Sequence, residues 1–170
     1  MERIDTIIVG GGQAGLATSY YLKHQGHEHV VLEQAAYAAP VWRNGRWDSF
    51  TLVTPNWSVQ MPGAEYDGPD RDGFMPRDEV VAYFARYAER FQLPVQFNTR
   101  VLSIEPLDGA GYRVATPAQS FRAQNVVIAT GLEQSPRIPA VASALSPEVT
   151  QLHSSRYRNP ESLPPGAVLV

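Results

Sequence analysis

The alternation of apolar and polar positions predicts a strand, a helix and a second strand at the start of the chain. Apolar and β-branched residues dominate Ile4–Val9, which is typical of a strand buried in a parallel sheet. Helical spacing of apolar residues follows from Gln13 to about His24, and His29–Glu33 form the second predicted strand. This order is typical of the first unit of a parallel α/β sheet.

The periodic pattern then stops between Ala35 and Asp72, where aromatic, proline and glycine residues dominate. A connection of this length is usually either functional or disordered. The large apolar rings of Trp42, Trp47 and Trp57 argue against disorder, because they need burial or a ligand to cover them. We therefore interpret this stretch as an ordered functional loop.

Periodicity returns with an amphipathic helix that Pro76 opens and that ends before Pro94. Four short strands are predicted after it: Val95–Phe97, Arg100–Glu105, Tyr112–Thr116 and Asn125–Ala129. The expected fold class is therefore α/β, with a Rossmann-like doubly wound parallel sheet and a small antiparallel β insertion.

The length of 170 residues suits a single core, so residues 1–170 are predicted to form one domain. The apolar end Ala167–Val170 has the character of the strand in "DTIIVGGG" near the start. We expect residues 165–170 to be the first strand of a second nucleotide-binding domain, with the chain cut just before its glycines.

Composition and charge remove several classes of function. Fourteen basic and seventeen acidic side chains give a formal net charge of −3 without any Lys/Arg run, so no nucleic-acid partner is expected. The sequence has no cysteine, which excludes disulfides, cysteine-ligated metals and a redox-active cysteine pair. Disulfide-reductase flavoproteins are thereby excluded as active enzymes. No apolar run is long enough for a signal peptide or a membrane span, so we expect a cytoplasmic protein without a membrane partner.

The first strand and the first helix are joined by a GxGxxG turn made by Gly10, Gly12 and Gly15. In that context Gly10 allows a tight turn, Gly12 allows a pyrophosphate to approach the backbone, and Gly15 allows close packing of helix and strand. The helix N-terminus offers N–H groups to the anion. The predicted dinucleotide contacts in the turn are Gly10, Gly11, Gly12, Gln13, Ala14 and Gly15.

A carboxylate stands where the second strand ends. Glu33 lies 18 residues after Gly15, a spacing at which it can accept hydrogen bonds from both ribose hydroxyls, and Gln34 follows it as a further candidate. The carboxylate would repel a 2′-phosphate. A chance glycine-rich turn with a solvated glutamate is the alternative interpretation, and the motif by itself fits NAD as well as FAD.

The stretch "NVVIATG", Asn125–Gly131, favours FAD. It resembles the second signature of flavoproteins with two dinucleotide-binding domains, in which the backbone of the residues matching Ala129, Thr130 and Gly131 passes near the dinucleotide. The same resemblance places the backbone of "RVLSIE", at Val101, against the adenine.

Within those flavoproteins, "VWRNGRWDSFTLVTPNWSVQMPG" and "LHSSRYRNP" resemble the flavin-containing, NADPH-dependent monooxygenases, and the resemblance covers essentially the whole chain. His153 and Tyr157 match the end of the family signature F-x-G-x-x-x-H-x-x-x-Y, and the tyrosine disfavours the Baeyer–Villiger variant. Pro147 and Val149 depart from the front of that signature.

The resemblance implies FAD as the cofactor and NADPH as the co-substrate of the intact protein. In the family NADPH reduces FAD, O₂ adds at the flavin C4a atom, and the peroxyflavin oxygenates a small organic substrate. It also implies that residues 165–170 lead into an NADPH-binding domain. A homo-oligomer is left open. Two rival interpretations also stay open: a catalytically incomplete FAD-binding module, and a simple NAD-dependent dehydrogenase.

The long loop supplies the remaining candidates, each with a plainer alternative. Trp42 either shields the isoalloxazine or fills the underside of the loop. Arg43 either reaches a phosphate or is a solvated charge. Asn56 is the one catalytic candidate, as a hydrogen-bond partner of the flavin, and its alternative is a turn residue after Pro55.

Histidines contribute no predicted site. His24, His27 and His29 straddle a helix end, a turn and a strand start, so their side chains are expected to point in different directions and no metal site is predicted. His153 is interpreted as a hydrogen-bonded structural histidine near a domain junction, with direct catalysis as the alternative.

Overall fold

The computed structural model of the protein describes residues 1–131 and 135–170. Its strands are β1 (Glu2–Val9), β2 (His29–Leu32), β3 (Gln60–Met61), β4 (Ala64–Glu65), β5 (Val95–Gln96), β6 (Ser103–Pro106), β7 (Tyr112–Ala115) and β8 (Ser120–Ile128). Its helices are α1 (Gln13–His24), α2 (Pro40–Asn44) and α3 (Arg77–Arg90). Short 3₁₀ turns lie at Asn56–Ser58, Ala140–Ala144, Ser154–Arg156 and Pro160–Ser162.

A mixed sheet of six strands organises the molecule in the order β5-β2-β1-β8-β7-β6. The four strands β5, β2, β1 and β8 run parallel, whereas β7 and β6 continue the sheet in antiparallel orientation beyond β8. The hairpin of β3 and β4 forms a separate two-stranded antiparallel sheet. The predicted α/β class, with a parallel sheet and a small antiparallel addition, is confirmed.

Each face of the parallel sheet has its own apolar cover. Leu16 of α1 shares a buried cluster with Phe84 and Tyr87 of α3, so both long helices lie on one side. On the other side, Ile7 and Val30 of the parallel strands share a cluster with residues of β7 and β8, including Val114 and Phe121. Side chains of the antiparallel strands therefore contribute to the apolar cluster on this face.

The strand β8 is longer than the sequence pattern indicates. It begins at Ser120, five residues before the predicted start at Asn125. Its first half alternates buried and exposed side chains, with Phe121 and Ala123 buried and Arg122 exposed, because only one face of it is covered. This first half pairs with β7, and the whole strand pairs with β1.

The long loop is held by hydrogen bonds from α3 to the β3–β4 hairpin. The hydroxyl of Tyr83 donates to the carbonyl of Ala64, and that of Tyr87 donates to the carbonyl of Pro62 over 2.9 Å. Burial raises the pKa of Tyr87 well above its ordinary value, so this hydroxyl keeps its proton. These hydrogen bonds give the loop defined partners in the fold, which agrees with the expectation of an ordered loop.

The segment after residue 135 forms an extended arm that docks on the residues around α2. Asp48 accepts a hydrogen bond from the side-chain amide of Asn159 over 2.7 Å and pairs with Arg77 over 3.0 Å. Arg158 donates to the carbonyl of Arg46 over 2.9 Å and also to the carbonyl of Asn44. These contacts fix the arm around residues 158–159.

The final residues of the arm are exposed, and among the described residues none pairs with 167–170 as a strand. A role for residues 165–170 as the first strand of a further domain therefore stays a prediction. In the described part of the chain, no helix combines the length and the apolar character that a membrane crossing requires.

Candidate dinucleotide-binding site

Two glycines of the GxGxxG turn are required by close packing. Gly10 has a φ of 110°, and a Cβ there would lie 2.5 Å from the carbonyl oxygen of Ala129. A Cβ on Gly15 would lie 1.9 Å from the carbonyl oxygen of Gly10, which is far inside van der Waals contact. The turn, α1 and the end of β8 therefore approach each other as closely as the sequence predicted for a dinucleotide-binding turn.

Gly12, by contrast, faces open space. A Cβ on Gly12 would meet no described atom within 4 Å. Gly12 is the N-cap of α1, and neither a side-chain cap nor an acidic residue in the first turn is found among the described residues. The positive end of the helix, at Gln13 and Ala14, is thus open to an anion.

The Glu33 carboxylate lies against this turn. Glu33 directly follows β2 and is only 4% exposed. One carboxylate oxygen, Oε2, accepts a hydrogen bond from the N–H of Gly11 over 2.7 Å, and Oε1 accepts one from the N–H of Ala35 over 2.8 Å. The carboxylate is therefore held in one orientation beside the turn, and its contact with a ribose stays a prediction.

The segment before β6 reaches the same place. The N–H of Thr99 donates to the carbonyl of Glu33 over 2.8 Å, and the N–H of Asn98 donates to the carbonyl of Ala35 over 2.9 Å. These bonds bring the half-buried Val101 close to the end of β2, and Gln34 is exposed between the two acceptor residues. The adenine contact assigned to Val101 stays a prediction.

The end of β8 completes the site. The N–H of Ala129 donates to the carbonyl of Val9 over 2.8 Å, and the chain continues through Thr130 to Gly131, which has a φ of 80°. Since β1 lies between β2 and β8, the carboxyl ends of three parallel strands bring the glycine turn, Glu33 and Ala129–Gly131 together. Open α/β sheets bind nucleotides at this edge.

The candidates on α2 lie farther along the loop. Trp42 is half-buried and packs against the rings of Phe84 and Phe50, with centroids 6.4 and 5.7 Å away. The guanidinium carbon of Arg43 lies 4.3 Å from the ring centroid of Tyr37 on an exposed surface. Trp42 therefore has a clear packing role, and the cofactor contacts of both residues stay predictions.

Asn56, the catalytic candidate, has a structural role. It is 4% exposed and begins the 3₁₀ turn that follows Pro55. Its Nδ2 donates to the carbonyl of Asp70 over 2.8 Å, and its Oδ1 accepts from the N–H of Met75 over 2.7 Å. This geometry supports the alternative of a turn residue, because both ends of the amide join two parts of the loop.

Two of the histidines, His29 and His153, have hydrogen-bond partners within the protein. His29 is buried, with Nε2 2.8 Å from the Ser19 hydroxyl and Nδ1 2.9 Å from the carbonyl of His27. His153 caps the 3₁₀ turn Ser154–Arg156, and its Nδ1 accepts from the N–H of Ser155 over 3.2 Å. Within residues 1–131 and 135–170, no three His, Cys, Asp or Glu residues are grouped as metal ligands.

Ala39, which no sequence pattern indicates, also contacts the glycine turn. Its N–H donates to the carbonyl of Gly11 over 2.9 Å, although Ala39 lies in the long aperiodic stretch. Its backbone is left-handed, with φ 53° and ψ 50°. No sequence signal could identify it, because alanine rarely adopts this conformation.

Comparisons with known proteins agree with this geometry. Residues 7–170 match the family described as pyridine nucleotide-disulphide oxidoreductase. The chain is 41% identical over 167 residues to a Geobacillus kaustophilus (strain HTA426) protein named "Uncharacterized oxidoreductase CzcO-like", covering 98% of this chain and 47% of the relative. It is 28% identical to the indole-3-pyruvate monooxygenase YUCCA4 of Oryza sativa subsp. japonica, covering 96% of this chain and 41% of the relative.

A solved structure supports the same relationship. A flavin monooxygenase from Stenotrophomonas maltophilia, a Q193R H194T mutant, superposes with a TM-score of 0.79 at 30% identity, covering 95% of this chain and 48% of the other. The resemblance to flavin monooxygenases is confirmed. The chain spans about half the length of the curated relatives it matches, 47% for the Geobacillus protein. Although the family description names disulphide chemistry, none of the 170 residues is a cysteine.

Proposed function

We propose, from the premise that the chain belongs to the pyridine nucleotide-disulphide oxidoreductase family, that it forms the FAD-binding part of an NADPH-dependent flavin monooxygenase. The observation that carries the proposal is the arrangement at the carboxyl ends of β1, β2 and β8. There the Glu33 carboxylate lies 2.7 Å from the Gly11 nitrogen, beside the open Gly12. The flavin monooxygenase relatives support FAD over NAD as the dinucleotide.

The residues present fit a dinucleotide with two phosphates. A side chain at Gly12 would occupy space that no described atom fills, next to the open end of α1. Gly10 and Gly15 leave no such space, so the turn is closed against the protein and open on one side. A diphosphate suits that side, because helix N–H groups and the helix dipole favour an anion there.

Each group of residues has a distinct proposed task. The backbone of Gly11–Ala14 would bind the diphosphate, and Glu33 would accept hydrogen bonds from the ribose hydroxyls. Val101 and Ala129–Gly131 would line the adenosine and the diphosphate through their backbone. FAD, when bound, supplies the redox chemistry, and the protein positions it and excludes water.

NADPH as reductant and a small organic molecule as substrate are also part of the proposal. They rest on the family resemblance of the sequence and on the names of its monooxygenase relatives. A buried acid–base pair is not needed for such a reaction, because the cofactor carries the chemistry. Asn56 is not given a catalytic task here, since its amide joins two parts of the loop.

Equilibrium dialysis against FAD and NAD tests the choice of dinucleotide. We expect the purified full-length protein to bind FAD and to be yellow, while NAD is not retained. A colourless preparation that takes up NAD but no FAD would contradict the proposal and would favour a simple NAD-dependent dehydrogenase.

The Gly12→Val variant connects that binding to this site. A valine there fills the open side of the turn without meeting a described atom at its Cβ, so the fold should persist while FAD binding is lost. Circular dichroism and thermal unfolding serve as the control for folding. Unchanged FAD affinity in a folded Gly12→Val protein would show that the turn does not hold the cofactor.

Steady-state NADPH oxidation tests whether these 170 residues are sufficient for turnover. We expect the 170-residue chain, verified by mass and supplied with FAD, to oxidise NADPH far more slowly than flavoenzymes usually do. Rates typical of flavoenzymes, about 1–10³ per second, would show that a second nucleotide site lies within these residues.

A further inference from the structure

Ala39 has a backbone conformation that is costly for alanine. Its φ of 53° and ψ of 50° lie in the left-handed region, and its side chain is 1% exposed. An L-residue in this region costs roughly 1–2 kcal/mol relative to ordinary conformations. The surrounding structure must therefore hold Ala39 in this conformation. The hydrogen bonds of the Ala39 peptide groups show which contacts the conformation makes possible.

Both peptide groups of Ala39 are hydrogen-bonded. Its N–H donates to the carbonyl of Gly11 over 2.9 Å, and its carbonyl accepts from the N–H of Trp42 over 3.1 Å. Ala39 therefore connects the glycine turn to the first turn of α2. In this way the position of α2 is tied to one carbonyl of the turn.

The bond to Gly11 fixes the orientation of one peptide plane. The described chain has no cis peptide, so the Gly11 carbonyl and the Gly12 N–H point in opposite directions. Since the carbonyl points to Ala39, the N–H of Gly12 points away from it. The preceding peptide is held as well, because the N–H of Gly11 donates to Glu33 over 2.7 Å.

We propose that Ala39 is a positioning residue that aims the Gly12 N–H at the diphosphate of the bound dinucleotide. The inference rests on the proposed function, because it assumes that a diphosphate binds at this turn. Ala39 touches neither the ligand nor the reacting atoms. Its effect passes through the Gly11–Gly12 peptide, so it should act on diphosphate binding and leave adenosine binding unchanged.

Four variants, one of them a control, isolate this effect. Ala39→Val disfavours the left-handed conformation, because β-branched residues almost never adopt it. Ala39→Gly keeps the N–H and removes the strain. Ala38→Val is the matched control: Ala38 is the neighbouring residue of the same apolar cluster, 4% exposed, and it does not have a positive φ. A backbone ester at Ala39, with its N–H replaced by oxygen, removes the donor without changing any side chain.

The measurement compares the affinities for FAD, ADP and adenosine at a temperature where circular dichroism shows every variant to be folded. We expect Ala39→Val and the ester to weaken FAD and ADP binding about tenfold, as the misaligned donor predicts. Adenosine binding should change less than twofold in both. Ala39→Gly and Ala38→Val should bind all three ligands like the parent protein.

The outcomes distinguish this inference from the function on which it rests. Equal losses for ADP and adenosine in Ala39→Val and the ester, or equal losses in Ala38→Val, would show a general structural effect and overturn the inference alone. A parent protein that binds neither FAD nor ADP would overturn the proposed function, and the inference with it.

Discussion

Two turns of the molecule differ in whether their polar groups are hydrogen-bonded within the protein. The glycine turn at residues 10–15 leaves one side open at Gly12, and the positive end of α1 faces that side. The turn at Asn56 is closed, since the backbone N–H and both ends of the side-chain amide are bonded to the 70–75 segment. Both turns connect distant parts of the chain.

This difference indicates that the glycine turn can bind a ligand, whereas the turn at Asn56 connects two parts of the loop. Buried polar groups in a folded protein are nearly always hydrogen-bonded, so a turn that satisfies itself has little left for a ligand. The glycine turn is tightly packed on one side, at Gly10 and Gly15, and faces open space on the other side, at Gly12. Substitutions should therefore affect stability at the closed positions and ligand binding at the open ones.

The largest expected effect is a loss of stability on the tightly packed side of the glycine turn, at Gly15. Gly15→Ala places a methyl group 1.9 Å from the Gly10 carbonyl oxygen, so the free energy of unfolding should fall by about 3 kcal/mol or more. Gly12→Ala is the control within the same turn, with an expected change below about 0.5 kcal/mol. Urea unfolding measures both. Similar stabilities for the two variants would contradict the tight packing on this side of the turn.

Next is the closed turn itself. Asn56→Ala leaves the Asp70 carbonyl and the Met75 N–H without their partner, and stability should fall by about 2–3 kcal/mol. Asn44→Ala, which removes an exposed amide bonded to the Tyr37 hydroxyl, should change it by less than about 0.5 kcal/mol. FAD affinity should be unchanged in both variants. If the Asn56→Ala protein has normal stability but has lost FAD binding, the result would support the hypothesis that Asn56 contacts the flavin.

A smaller effect, on binding, is expected at Glu33. Glu33→Ala should weaken FAD binding by about 1–3 kcal/mol, the range for a lost charge-assisted hydrogen bond, and the protein should stay folded. Isothermal titration calorimetry measures this change. Glu28→Ala, at an exposed carboxylate before β2, is the matched control and should bind FAD normally. Equal FAD affinities for the Glu33→Ala variant and the parent would show that Glu33 does not bind the ribose.

The smallest expected effect is a pH-dependent change in stability where Asp48 binds the arm at Asn159. Hydrogen bonds from Asn159 and then Arg77 lower the pKa of the Asp48 carboxyl below its ordinary value of 3.8. A lowered folded-state pKa adds stability above the unfolded pKa, and this stability is lost as pH falls through the folded pKa. Thermal unfolding of Asp48→Asn and the parent should therefore differ slightly near pH 6 and converge below pH 4. A constant difference across that range would contradict this linkage.

The sequence predicted the glycine turn well because its signals are local. The bounds of α1, Gln13–His24, are those that the pattern predicts, and the GxGxxG spacing places Gly10 and Gly15 at the two contacts that exclude a Cβ. The adjacency of Glu33 to the turn followed from its position at the end of a parallel strand.

The closed turn could not be predicted in the same way. Asn56 is held by the carbonyl of Asp70 and the N–H of Met75, which are 14 and 19 positions away, and no periodicity encodes such pairs. The early start of β8 was missed because its first half is exposed on one face. Ala39 was missed because its strain depends on the tertiary contacts of its peptide groups.

The central place of β1 also determines how the chain can fold during synthesis. Thr6 and Asn125 lie side by side in β1 and β8 although 119 positions separate them. At a translation rate of about 5–20 residues per second, β1 is made roughly 6–24 seconds before this partner. Once β2 has been made and until β8 follows, a β1–β2 pair would present an open strand edge that neighbouring chains can join. The strand that carries the glycine turn thus gains its second neighbour only when β8, the last strand of this sheet in the described sequence order, has been made, and slower translation lengthens that wait.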